Sequence, residues 1–203
     1  MSTLSQLPPF LILYAAALLA GFTHGKLRSL VILAAPLLAG ICVYGLTEGN
    51  VLQFEFLGYL LVPLRVDGLS RVFGYLFLTA SFIAVIFSLH VKDTLQHVAA
   101  MVYAGSALGA VFAGDLLTLF VFWELLAVSS VFLVWARRTE RAVAAGLRYL
   151  VVQITSGVLL LAGAVLHLQQ TGSPAFSHIG LDGLSGWLIF TAFGIKCAFP
   201  FLH

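Results

Sequence analysis

Seven times along this chain of 203 residues a mostly apolar run recurs, at positions 8–22, 27–46, 72–89, 98–113, 116–136, 142–168 and 184–203. About 20 such residues, rising ~1.5 Å each as a helix, cross a hydrocarbon core ~30 Å thick. The chain is 61% hydrophobic and 9% charged, against roughly 25% charged residues in a soluble domain. The runs therefore predict an all-α integral membrane protein of about seven transmembrane helices. A net charge of +2 with no basic cluster interleaved with aromatics excludes a nucleic-acid binder.

The placement of charge predicts orientation. Lys26, Arg28, Lys92, Arg137, Arg138 and Arg141 fall in loops one, three and five, whereas loop two holds Arg65 and Arg71. Positive residues mark cytoplasmic loops, so the N-terminus is expected outside, with the chain in a bacterial inner (plasma) membrane. Residues 1–7 carry no Lys or Arg ahead of the first apolar run, unlike the basic start of a cleaved signal peptide, so that run is expected to be retained. Cys42 and Cys197 lie inside predicted spans with no partner at ligand spacing, and are read as packed thiols.

Between the second and third spans, VLQFEFLGY at 51–59 alternates Leu52, Phe54 and Phe56 with Gln53 and Glu55. That period of two, punctuated by Gly58 and Pro63, predicts a short external β-hairpin at about 50–66. Asp67 and Ser70 in RVDGLSR then supply capping oxygens to the next helix. The basic turn ARRTERA at 136–142 reads as a topology determinant, and His178 and Asp182 in the loop at 169–186 read as solvated. The chain divides into an N-terminal part, 1–93, holding three helices and the hairpin, and a part at 94–203 holding helices four to seven.

Away from the span ends three charged residues stand inside the membrane: Glu124, Arg148 and Lys196. A carboxylate at mid-bilayer costs roughly 2.5–3.5 kcal/mol on insertion scales, so Glu124 requires a partner. Counting residues from the span ends puts Glu124 about 12 Å, Lys196 about 18 Å and Arg148 about 20 Å from the outer face. The predicted levels differ by less than about 8 Å, which makes Arg148 and Lys196 both candidates. A structural ion pair locking three helices is one reading of this group. A proton relay is the other: burial disfavours an ammonium and a nearby carboxylate favours it, so movement of Glu124 switches Lys196 between holding and releasing a proton. Arg148, which stays protonated, would fix the charge state of Glu124.

In GIKCAFPFLH at 194–203, Pro200 has no N–H to give to the Lys196 carbonyl, so the seventh helix is expected to break or kink there. Broken helices at membrane depth line cavities and mark transporter sites. Gln153, Thr155 and Ser156 would either extend a hydrated path or bond neighbouring helices, and His167 reads as interfacial.

The stretches GDLLTLFVFWELLAVSSVFLV (114–134), AGLRYLVVQITSGVLLLAG (145–163) and FGIKCAFPFLH (193–203) resemble the proton-conducting membrane subunits shared by multisubunit cation/proton antiporters and respiratory complex I, the D-type antiporter subunit most of all. The resemblance implies that Glu124 of helix five and Lys196 of helix seven are the proton-handling pair, with Arg148 at a basic position early in helix six. It also implies an external N-terminus and hairpin. Family members have about fourteen helices, including two inverted five-helix units, so the chain is expected to be the first part of such a subunit, with the first unit incomplete.

These readings predict a proton-translocating membrane subunit of a multisubunit Na⁺/H⁺ antiporter, acting through Glu124 and Lys196 with Arg148 as tuner. Its expected partners are other membrane subunits, H⁺ and Na⁺, and the lipid bilayer. One alternative is the membrane arm of an NADH-quinone oxidoreductase or membrane hydrogenase, in which the chain would be at most the ion-pumping part of a redox-driven translocase. The other is a non-transporting scaffold or truncated subunit. No haem, flavin, iron–sulfur or metal motif is present in the sequence, so no cofactor is expected.

Overall fold

A computed structural model describes residues 7–199. Its order is α1 (Pro9–Phe22), α2 (Gly25–Gly45), β1 (Gly49–Phe56), β2 (Tyr59–Val66), α3 (Gly68–Ser88), α4 (Thr94–Phe112), α5 (Leu116–Trp135), α6 (Glu140–Thr171) and α7 (Leu184–Lys196). Among the described residues five helices, α2 to α6, are long and apolar enough to cross a membrane, while α1 and α7 are shorter. Many large apolar side chains face outward, including Leu18, Leu30, Ile41, Phe87 and Val151, as expected where the solvent is hydrocarbon.

Helix α4 sits centrally, packed against α1, α3 and α5. Its sequence explains the position. Ala104, Gly105, Ser106, Leu108 and Gly109 are buried, and small residues let helices approach closely where lipid supplies no hydrophobic drive between them. The Phe122 ring of α5 lies directly on Gly109, where a methyl group would collide with it. Ser106 also hydrogen-bonds Tyr14 of α1 at 3.0 Å. From α5 the bundle continues through α6 to α7.

The expected hairpin forms as an antiparallel pair in which Phe56 faces Tyr59 across the two-residue turn Leu57–Gly58. Both turn residues have positive φ, 51° and 80°, the geometry of a type I′ turn that follows the strand twist. Leu57 holds the position usually given to Asn or Gly, and its side chain is exposed. The expected alternation on β1 is not realised, because register shifts fall between residues 50 and 52 and between 52 and 54. Gln53 through Phe56 are all exposed, and it is β2 that alternates, burying Val62, Leu64 and Val66.

Asp115 ties this hairpin to the bundle, a role the sequence reading does not anticipate. It is 1% exposed and caps α5: Oδ1 accepts from the Thr118 N–H at 2.8 Å, and Oδ2 accepts from the Thr118 hydroxyl at 2.6 Å and the Val62 N–H at 2.7 Å. Gly114 donates to the Val62 carbonyl and Leu116 to the Pro174 carbonyl, so the hairpin, the start of α5 and the α6–α7 loop share one end of the bundle. Asp67 and Ser70 form the expected capping box at α3. The Asp67 carboxyl lies below the ordinary carboxylate range, chiefly because it accepts the Ser70 backbone N–H.

The opposite end gathers the basic loops. Arg28 is buried, donating to the Thr94 hydroxyl at 2.6 Å and the Lys92 carbonyl at 3.1 Å, and Arg138 pairs with Asp93 at 2.8 Å. The residues assigned above to loops one, three and five thus meet across three turns.

The break expected in the seventh span falls at Lys196, and one expectation beside it is corrected: Cys197 is not packed. The helix does not run on past Lys196 among the described residues. It ends at Lys196 in a Schellman motif, with Ala198 at φ 52° donating to the Ile195 carbonyl and Phe199 donating to the Gly194 carbonyl. The Phe199 ring folds back onto Gly194, where a Cβ would lie 2.5 Å from it, and packs edge-on to Phe190. Pro200 lies outside the described residues. Cys197 is accordingly exposed beyond the helix end rather than packed, while Cys42 is half-buried, its Sγ donating to the Leu7 carbonyl.

Candidate functional site

At about 1.5 Å per residue, the 13 residues of α7 cover about 20 Å, so the helix stops part-way through a ~30 Å core with Lys196 at its end. A C-terminal cation suits the negative end of a helix. The Lys196 ammonium reaches α5, where it donates to the Trp123 carbonyl at 3.3 Å and lies 4.8 Å from the centre of the Trp123 ring. Trp123 is held on its other sides. Its Nε1–H donates to Ser156 Oγ of α6 at 3.2 Å, Ser156 donates in turn to the Ala192 carbonyl of α7 at 2.9 Å, and Phe193 meets the indole edge-on. Three helices are thereby joined around one buried serine.

Glu124, the next residue of α5, points to α6. Gln153, Ser156, Gly157, Leu160, Gly163, Ala164 and His167 form the buried stripe of that helix, spaced at three and four residues. The Glu124 carboxylate rests on Gly157, in the space a Cβ would occupy. Among the described residues Glu124 Oε1 is buried without a hydrogen-bond partner, as is Gln153 Oε1 one turn away on the same stripe. An acceptor in this condition takes a proton or a water hydrogen when one arrives. Among the described residues Glu124 and Lys196 form no ion pair within 4.0 Å.

Arg148 is not part of this arrangement. It is exposed, with no ion pair or hydrogen bond among the described residues. Nine residues separate it from Gly157, which at 100° and 1.5 Å per residue amounts to the opposite face of α6 and about 13 Å of height. Estimating depth from where each span begins misplaces it because α6, at 32 residues, is much longer than its neighbours. Thr155 also faces outward and bonds only the Val151 carbonyl of its own helix. His167 is buried and bonds Ser177 Oγ at 3.1 Å instead of facing the interface.

The features missed by the sequence reading are the cation seat at Trp123 and the carboxylate seat at Gly157. Trp123 adjoins Glu124 in FWEL, and Gly157 lies in ITSGV on the small-residue face of α6; those adjacencies are the signals available.

A helix ending in lysine thus stands against a helix carrying a buried carboxyl oxygen with no hydrogen-bond partner among the described residues. Residues 113–203 match the family model described as NADH:quinone oxidoreductase/Mrp antiporter, TM. Over its second half the chain is thus similar to the antiporter-like membrane subunits of Mrp antiporters and complex I. It is 28% identical over 126 residues to a Staphylococcus epidermidis protein named for antiporter subunit mnhA2, an alignment covering 58% of this chain and 16% of that protein. A chain of Thermus thermophilus respiratory complex I superposes with TM-score 0.77 at 25% identity, covering 97% of this chain and 45% of its own. A chain of the Mrp complex from Dietzia sp. DQ12-45-1b gives 0.79 at 24% identity, covering 98% and 24%, which shows shared fold. This chain thus spans less than half the length of these relatives.

Proposed function

We propose that the chain is a proton-translocating part of a multisubunit Na⁺/H⁺ antiporter, in which Glu124 and Lys196 form a switchable mid-membrane pair. The observation that carries the reading is that the two groups are not paired with each other: the ammonium rests on a carbonyl and an indole face, and the carboxyl oxygen beside Gly157 has no hydrogen-bond partner among the described residues. A locked structural pair would satisfy each group with the other. Here a proton brought to Glu124 removes the charge that favours the ammonium, and Lys196 then releases its own proton onward. Other membrane subunits supply the remainder of the path.

The test is flux through the assembled complex in everted membrane vesicles. An imposed Na⁺ gradient is expected to drive protons in the direction opposite to the Na⁺ flow, a movement that reverses with the gradient and is lost with Glu124→Gln. The likeness to a complex I chain over nearly the whole length favours a second, redox-driven reading. Under that reading, flux would follow an electron donor and ignore Na⁺.

The proposed orientation places the N-terminus and hairpin outside, supported by the basic residues gathered at the opposite end. With native cysteines replaced, a cysteine at Glu55 is expected to react with an impermeant reagent on intact bacterial cells, and one at Arg138 only after permeabilisation. The reverse pattern would overturn the orientation.

A further inference from the structure

The inner end of α5 and the first turns of α6 enclose a groove of about 680 Å³, lined by Leu133, Val134, Arg137, Thr139, Arg141 and Ala145 among others. The turn sorts its arginines. Arg138, at φ 51°, swings away to pair with Asp93, which leaves Arg137 and Arg141 in the groove with no ion pair among the described residues. Thr139 caps α6 by accepting from the Ala142 N–H, so the N–H groups of Glu140 and Arg141 stay free at the start of a 32-residue helix. Two guanidinium groups, free backbone donors and the positive end of a helix all favour a phosphate-type anion.

The rest of the groove favours a particular bearer of that anion. Leu133, Val134 and Ala145 make one wall apolar, running from the basic turn toward the membrane interior. Arg148 is exposed seven residues beyond Arg141, within about 20° of the same face and about 10 Å deeper. A guanidinium at that depth extends back toward the headgroup layer. We infer that the groove between α5 and α6 is a binding site for an anionic phospholipid, its phosphate between Arg137 and Arg141, its acyl chain along Leu133, Val134 and Ala145, and Arg148 bracing it from the hydrocarbon side. A free inorganic phosphate shares the headgroup chemistry but would leave the apolar wall and Arg148 unused.

The test is native mass spectrometry of the full purified chain in a neutral detergent, titrated separately with phosphatidylglycerol, phosphatidylcholine and inorganic phosphate. One phosphatidylglycerol is expected to bind with preference over phosphatidylcholine, and millimolar inorganic phosphate should not displace it. The double variant R137Q/R141Q should lose roughly 25-fold in affinity, about five-fold for each charge removed at an anionic headgroup. R137K/R141K keeps the charge and should retain most of the binding, and K26Q/K92Q, which removes two charges from the same end of the bundle, should leave it unchanged. Circular dichroism matching the unsubstituted chain establishes that each variant is folded. The site is overturned if R137Q/R141Q binds like the unsubstituted chain, if K26Q/K92Q loses as much, if phosphatidylcholine binds equally, or if inorganic phosphate displaces the lipid.

Discussion

Replacing Lys196 with alanine is expected to reduce proton translocation by the assembled complex roughly 100-fold or more, since a positioned proton-transfer group contributes about 10²–10⁴. Assembly should survive the change. The lost contacts are one charge-assisted hydrogen bond to the Trp123 carbonyl, worth about 1.5–3 kcal/mol, and the cation–π contact, about 2 kcal/mol where desolvated. Against them stands the burial of an ammonium, which costs several kcal/mol and is relieved by alanine. Lys196→Arg separates the two roles. A guanidinium keeps the charge, the carbonyl contact and the stacking on Trp123, so a structural lock would be rescued; it does not release a proton, so a relay would not. Flux through the complex, normalised to assembled protein, is the measurement. Recovery in the arginine variant would reduce Lys196 to a lock.

Gly157→Ala is expected to be almost silent in stability and severe in transport. The Cβ would stand where the Glu124 carboxyl now sits, and that carboxyl is the far end of a flexible side chain, so it swings aside without disturbing the backbones. Alanine also favours a helix interior over glycine by about 1 kcal/mol. The carboxyl nevertheless leaves its position one turn from Gln153, and misplacing a reacting group by about 1 Å is able to cost on the order of 100-fold. Transport should fall roughly 10- to 100-fold while thermal stability of the complex is unchanged or raised. Wild-type flux in Gly157→Ala would show that the carboxyl's seat does not matter.

The sequence carries most of the fold and part of the site, for identifiable reasons. The long apolar runs mark α2 to α6 because the membrane demands about 20 apolar residues per crossing. The capping box at Asp67 and Ser70 is legible because caps follow local chemistry. Lys196 and Glu124 stand out because charge in hydrocarbon is expensive. Arg148 satisfies that same criterion, and the sequence alone groups it with them. Its separation depends on which face of α6 turns inward and how far α6 overshoots α5, both set by tertiary packing. Trp123 and Gly157 are hidden for a related reason: a tryptophan or glycine in an apolar run looks like ordinary packing until a neighbouring helix brings an ammonium or a carboxyl to it. The β1 alternation misleads because register shifts cancel a period of two without leaving a mark in the sequence.

The central claim, that Glu124 and Lys196 exchange protons through a shared field, is tested most directly by infrared difference spectroscopy of the complex across a pH titration. The protonated carboxyl C=O stretch of Glu124 is identified as the band lost in Glu124→Gln. In the unsubstituted protein that band should appear and disappear with pH, and its midpoint should move when Lys196 is replaced by alanine, because removing the ammonium removes the charge acting on the carboxyl. A Glu124 band that titrates identically with and without Lys196, or one that does not titrate at all, would contradict the account.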